Sequence, residues 1–120
     1  MDEYKIIFFY DPETGTIPVR EYLDSISDKE RAKILKYVEF LREHKGVLDE
    51  PYTKHIRDKI RELRIDFGRN RHRIFFFTFV GKNIILLHAF QKYTAQTPER
   101  DIRRAITNYH QVIRSPELYE

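Results

Sequence analysis

The chain has 120 residues, 41% of them apolar and 14% aromatic with Tyr and Phe supplying every ring, which predicts one domain over residues 1–120 with a modest core and argues against disorder. It contains no cysteine, which excludes a disulfide framework and a thiolate metal site and suits a reducing compartment. Net charge is only +3, but the segment from Lys54 to Arg73 holds eight basic residues (Lys54, Arg57, Lys59, Arg61, Arg64, Arg69, Arg71, Arg73) against three acids (Asp58, Glu62, Asp66), leaving 14 basic and 16 acidic residues elsewhere.

Met1-Asp2-Glu3-Tyr4-Lys5 carries acids where a secretory signal needs a basic opening, and no apolar run reaches membrane-spanning length. The expected location is the cytoplasm. Tyr4 to Tyr10 is rich in β-branched and aromatic residues and stops at the turn formers Asp11-Pro12-Glu13-Thr14-Gly15, so it predicts a strand and then a loop. Pro18 opens a short helix with Val19, Tyr22, Leu23 and Ile26 on one face. Ser27 and Glu30 form a capping-box pattern that starts a second helix, with an apolar stripe through Ile34, Leu35, Val38 and Leu41 and an end near Gly46.

After Pro51 the period changes to two. Leu63, Ile65 and Phe67 alternate with Glu62, Arg64 and Asp66, and Gly68-Arg69-Asn70 turns the chain. Arg71 to Val80 is apolar on both faces from Ile74 onward, as expected of a covered central strand, and Gly81-Lys82-Asn83 leads into a last strand, Ile84 to Phe90. Thr97-Pro98-Glu99 supplies a cap, a first-turn proline and an acid for a final helix with Ile102, Ala105, Ile106, Tyr109 and Ile113 on one face. The predicted order is β-α-α-β-β-β-α: an α+β fold with an antiparallel sheet of about four strands, a helix hairpin at one end of the chain and a helix at the other.

The segregated positive charge is an electrostatic footprint for a polyanion, here RNA. Arg64 lies on the strand face opposite Leu63 and Ile65, where it would hold phosphate or, on a merely solvated face, pair with Glu62 or Asp66. Arg71 and Arg73 share the parity of Phe75 and Phe77, so Arg73 enters covered structure and needs a partner. Lys54, Arg57, Lys59, Arg61, Arg69 and Arg71 are the candidate RNA-binding residues around it. His55, in a basic loop, His72 and His88 could each exchange protons near neutral pH, although His88 sits in an apolar strand as a core histidine would. None of them has metal-ligand spacing, so neither a metal nor another cofactor is expected. Lys92, among arginines, should have a lowered pKa that makes it a better proton donor, and Tyr93 could stack on a base. Neither a Ser/His/Asp order nor a glycine-rich phosphate loop is present. Cleavage of RNA asks less, because the 2′-OH is its own nucleophile and the protein need only orient it, neutralise charge on phosphorus and move protons.

The ordered segments Lys54-His55-Ile56, Glu62-Leu63-Arg64-Ile65, His72-Arg73-Ile74-Phe75-Phe76, Leu86-Leu87-His88-Ala89-Phe90-Gln91-Lys92-Tyr93-Thr94 and Thr97-Pro98-Glu99 resemble the HigB-like, phage-derived branch of the RelE/ParE toxin superfamily. The resemblance covers essentially the whole chain. It implies the toxin of a type II toxin–antitoxin pair, usually an endoribonuclease that cuts mRNA on the translating ribosome, and a helix-turn-helix, HigA-like antitoxin encoded beside it. A non-enzymatic inhibitor like the superfamily's DNA gyrase poisons, or an inactive regulatory relative, are the alternatives it leaves. By resemblance, Arg64, Arg73 and Lys92 belong to the catalytic set; from their own chemistry, His55, Lys54 or Tyr93 would handle protons, and Tyr93 could instead stack on a base. The paired lysines of ribosome-dependent relatives fall at Ile60 and Glu62, so their role is absent here or moves to Lys54, His55 or Lys59. The final-helix tyrosine of shorter relatives is matched only loosely, by Tyr109.

Overall fold

The period-two runs form a single sheet, and the stripes of helical period supply the layers that cover it. The computed structural model describes residues 3–79 and 81–120; Met1 and Asp2 of the acidic opening and Val80 of the Phe-rich run lie outside the described residues. The elements are β1 (Lys5–Phe8), α1 (Pro18–Asp24), α2 (Asp28–Glu43), β2 (Thr53–Arg57), β3 (Ile60–Phe67), β4 (Asn70–Phe79), β5 (Asn83–Lys92) and α3 (Glu99–Arg114), followed by a 3-10 turn at Pro116–Leu118. The fold is α+β, as expected.

The described strands run β1-β5-β4-β3-β2 across the sheet, with β1 parallel to β5 and the other neighbours antiparallel. This corrects the expectation of an antiparallel sheet of about four strands. β1 feeds α1 and α2 and not a tight hairpin, so no turn sets its direction. The other correction is β2, which contains the supposed basic loop. Thr53 is its buried residue, the strand offers no apolar alternation, and it joins β3 through Asp58, which takes φ 51° in the left-handed region that aspartate tolerates.

One face of the sheet packs Leu63, Ile65, Ile74, Phe76, Ile84 and Leu86 against Val19, Leu23, Ile34, Val38 and Leu41 of α1 and α2. The other packs Ile60, Phe75, Phe77, Ile85, Leu87 and Phe90 against Ala105 and Val112 of α3. Both faces of β4 are therefore covered, which is why its run reads as continuously apolar. The pairing slips between Phe75, opposite His88, and Phe76, opposite Leu86, so β5 carries one extra residue and turns both Leu87 and His88 toward α3.

Ser27 caps α2 as expected, accepting the Glu30 N–H at 3.2 Å and donating to its carboxylate at 2.9 Å. The helix closes through Gly46, at φ 78°, whose N–H reaches the Leu41 carbonyl at 2.9 Å. A side chain there would put its Cβ 2.6 Å from Thr78 Oγ1. Leu35, placed on the apolar stripe, is exposed. The cap of α3 also differs from expectation: Pro98 occupies the N-cap position, and the Thr97 hydroxyl turns away to donate to Glu62 at 3.0 Å. A carboxylate buried away from solvent competes successfully for that hydroxyl.

Candidate functional site

Strand alternation sends Glu62, Arg64 and Asp66 to the face of β3 away from α1 and α2, and pairing arranges them into three rows across the sheet. The rows are Lys54, Glu62, Phe75 and His88; Arg64, Arg73 and Phe90; and Asp66, Arg71 and Lys92. Residues directly opposite each other in an antiparallel sheet share a face and lie close together. The register, and not proximity in sequence, thus brings Lys92 to the arginines.

Glu62 lies at the centre of this cluster and is fully buried. Its Oε1 stands 3.6 Å from Arg64 Nε and 3.9 Å from Arg73 Nε, while Thr97 holds its Oε2. Glu62 Oε1, Arg64 Nε and Arg73 Nε are all buried without a hydrogen-bond partner. Arg73, 4% exposed, is otherwise anchored through Nη1 to Asp66 Oδ1 at 2.9 Å and to the His72 carbonyl at 3.0 Å. Burial pushes the Lys92 ammonium pKa below its ordinary value, and Arg73, Arg64 and Arg71 push the same way against the attraction of Glu62. The lowered pKa expected for Lys92 is present, with desolvation as its first cause.

Arg64, Arg73 and Asp66 open on a groove of about 360 Å³ whose other wall carries Lys33, Tyr37 and Tyr52. Among the described residues no strand lies beside the outer edge of β3 beyond Thr53, and the groove runs along that edge. The Arg64 N–H, donating to the Tyr52 carbonyl at 2.9 Å, closes the end nearest β2.

The remaining basic residues do not gather here. Arg61 turns to the α1/α2 face and donates to Thr53 Oγ1 at 2.9 Å. His55 pairs with Arg61, sharing its face, and its Nε2 meets the Asp58 carbonyl at 2.7 Å. Arg57 forms an exposed ion pair with Glu99 at 3.2 Å. Lys59 lies beside Phe77 and Tyr109, at the end of the β2–β3 hairpin, while Arg69 is in the turn at the opposite end of β3. The cluster therefore joins Arg64, Arg71, Arg73 and Lys92, with Lys54 on the adjoining row, and leaves out His55, Arg57, Lys59, Arg61 and Arg69. Tyr93, 76% exposed, follows Lys92 at the rim.

Two histidines serve packing. His72 is buried between the Tyr22 hydroxyl and the Glu30 carboxylate, each at 2.6 Å, and ties both N-terminal helices to β4. His88 forms a three-ring cluster with Phe75 and Phe90 and meets Asp101 of α3 at 2.8 Å; burial lowers its pKa against the opposing pull of Asp101. Sequence reasoning missed Glu62, Asp66 and Thr97 as site residues. Alternation had put both acids on the Arg64 face, but it carries no information about which one the fold buries.

Residues 21–110 match the model of the family described as Phage derived protein Gp49-like. The chain belongs to this family. No curated protein matches it. The matched part of this Gp49-like protein begins within α1 and ends within α3, and so includes Glu62, Arg64, Arg73 and Lys92. Among its described residues no helix is long and apolar enough to cross a membrane.

Proposed function

We propose that this Gp49-like protein is the toxin of a type II toxin–antitoxin pair, on the HigB-like branch of the RelE/ParE superfamily. Its activity is then ribosome-dependent cleavage of mRNA in the cytoplasm, silenced by a helix-turn-helix, HigA-like antitoxin. Family membership and the ordered motifs support this reading, but the observation that carries it is the pair of arginines, Arg64 and Arg73, that line one groove together with the Asp66 carboxylate. A phosphate in the groove offers the terminal guanidinium N–H groups of both arginines an acceptor.

Arg64 and Arg73 would hold the non-bridging oxygens of the scissile phosphate and neutralise the charge that builds on them. As the 2′-oxygen bonds to phosphorus, its proton passes to Asp66, the carboxylate lining the groove. The bond from phosphorus to the 5′-oxygen breaks, and Lys92 protonates that oxygen. The products are a 2′,3′-cyclic phosphate and a 5′-hydroxyl. Glu62 is buried too deeply to touch RNA; it is a positioning residue that assembles the cations.

The test is to incubate the purified protein with translating ribosomes, map mRNA ends and identify their terminal groups. New 5′-hydroxyl ends that vanish with Arg64→Ala are expected. Intact message at protein concentrations that exceed the ribosomes overturns the proposal.

A further inference from the structure

We infer that Tyr52, braced by Tyr37 and Phe40, is a base-stacking platform for a nucleotide whose phosphate Arg64 and Arg73 hold, a subsite that rests on the RNA-cleaving reading above. Tyr52 is 41% exposed although it follows Pro51 directly at the edge of the sheet. Its ring lies 6.3 Å from that of Tyr37 at 59° and 5.6 Å from that of Phe40 at 73°. Steep contacts with two neighbours fix the ring before any ligand arrives, so little conformational entropy is lost on binding. Its carbonyl accepts the Arg64 N–H, which fixes the platform relative to the guanidinium in the same groove.

The wall opposite the arginines is thus aromatic, with Lys33 at its edge in the arginine groove, while Glu39 and Glu43 border the far side of the rings with Lys36. Lys33 lies 5.8 Å over the Tyr37 ring and 5.9 Å over that of Phe67, and donates to the Asp66 carbonyl. Cations that hold a backbone beside rings that hold bases are the combination by which proteins grip single-stranded nucleic acid, because every base has a π-face. An acidic protein segment would use the arginines equally well but would leave the rigid rings without a role.

The experiment measures binding of a short single-stranded RNA by fluorescence anisotropy at low salt, using the intact oligonucleotide and a series with one abasic position each. The proteins are wild type, Arg64→Ala, Tyr52→Ala and Tyr52→Phe. Tyr52→Ala should weaken binding about tenfold, within the range for loss of one base stack. Tyr52→Phe should keep it, since stacking needs the ring and not the hydroxyl. One abasic position should cost the wild type as much and cost Tyr52→Ala nothing further. The abasic series on wild-type protein does not depend on how any variant folds. If Arg64→Ala loses binding while Tyr52→Ala and every abasic RNA bind as before, the stacking subsite is overturned and RNA binding stands. If the wild type binds no RNA, or Arg64→Ala binds it unchanged, the subsite is overturned, while the RNA-cleaving reading stands or falls by the mapping of mRNA ends on translating ribosomes.

Discussion

Arg64 and Arg73 stand directly opposite each other on β3 and β4, two like charges on one face, with one buried oxygen of Glu62 3.6 Å from the first Nε and 3.9 Å from the second. Such a pair is unfavourable alone, so Glu62 makes it tolerable. Glu62→Gln keeps the shape and removes the charge. Breaking a fully buried pair costs about 3–5 kcal/mol. Because the Arg64 side chain is 27% exposed, a smaller loss of roughly 2 kcal/mol in urea unfolding is expected, after discounting for solvent. Inorganic phosphate should restore part of it. Unchanged stability would show that Glu62 does not hold the cluster together.

Lys92 is the second handle on the site. A proton donor must be charged, so cleavage should fall as pH rises through its folded-state pKa, which lies below the 10.5 of an ordinary lysine. Lys92→Arg keeps the positive charge but cannot give up its proton at such pH. It should retain ribosome binding, lose about 10²-fold or more in turnover, in the range for general acid catalysis, and lack the alkaline limb. An inhibitor that acts by binding alone, as a gyrase poison does, would show neither effect. Single-turnover cleavage across a pH series measures both.

Salt tests the electrostatic contribution. If six or more phosphates are contacted, affinity for RNA should drop roughly 10³-fold between about 50 and 200 mM salt, somewhat less on single strands. The structure narrows the source, because the eight basic residues from Lys54 to Arg73 point to different faces and ends of the β2–β4 sheet. Arg61→Ala should therefore change the salt slope less than Arg64→Ala. Equal changes would restore the picture of one uniform patch.

His88 links α3 to acidity. Its folded-state pKa lies below 6.5 because burial outweighs the pull of Asp101. The unfolded chain then takes up this proton first on acidification, so stability is complete above pH 6.5 and declines as pH falls from there toward the folded value. His88→Gln, which cannot titrate, should flatten that part of a plot of thermal midpoint against pH. A decline of equal size in the variant would assign it to other groups.

Much of the fold was legible in the chain because local rules agree with the tertiary result. The Ser27 capping box, the Gly46 helix end and the continuous apolar run of β4 each report a short-range requirement. β2 and the parallel pairing of β1 left no such trace: one is a polar edge strand, and the other owes its partner to the return of a distant segment. The site divided the same way. Alternation alone put Arg64 opposite Leu63 and Arg61 on the Leu63 face, whereas it gave no sign that Lys92, on a distant strand, would join Arg64.

What the sequence determined by itself about Lys54 to Arg73 is composition and parity: a net positive segment whose odd and even residues take opposite faces. The tertiary structure decided which of those charges meet. Two antiparallel registers bring Asp66, Arg71 and Lys92 into one row, and burial makes Glu62 the counter-ion and Thr97 its donor. Parity is local, set by the pleat of each strand, but a site is made by pairings and desolvation that exist only once distant strands lie side by side.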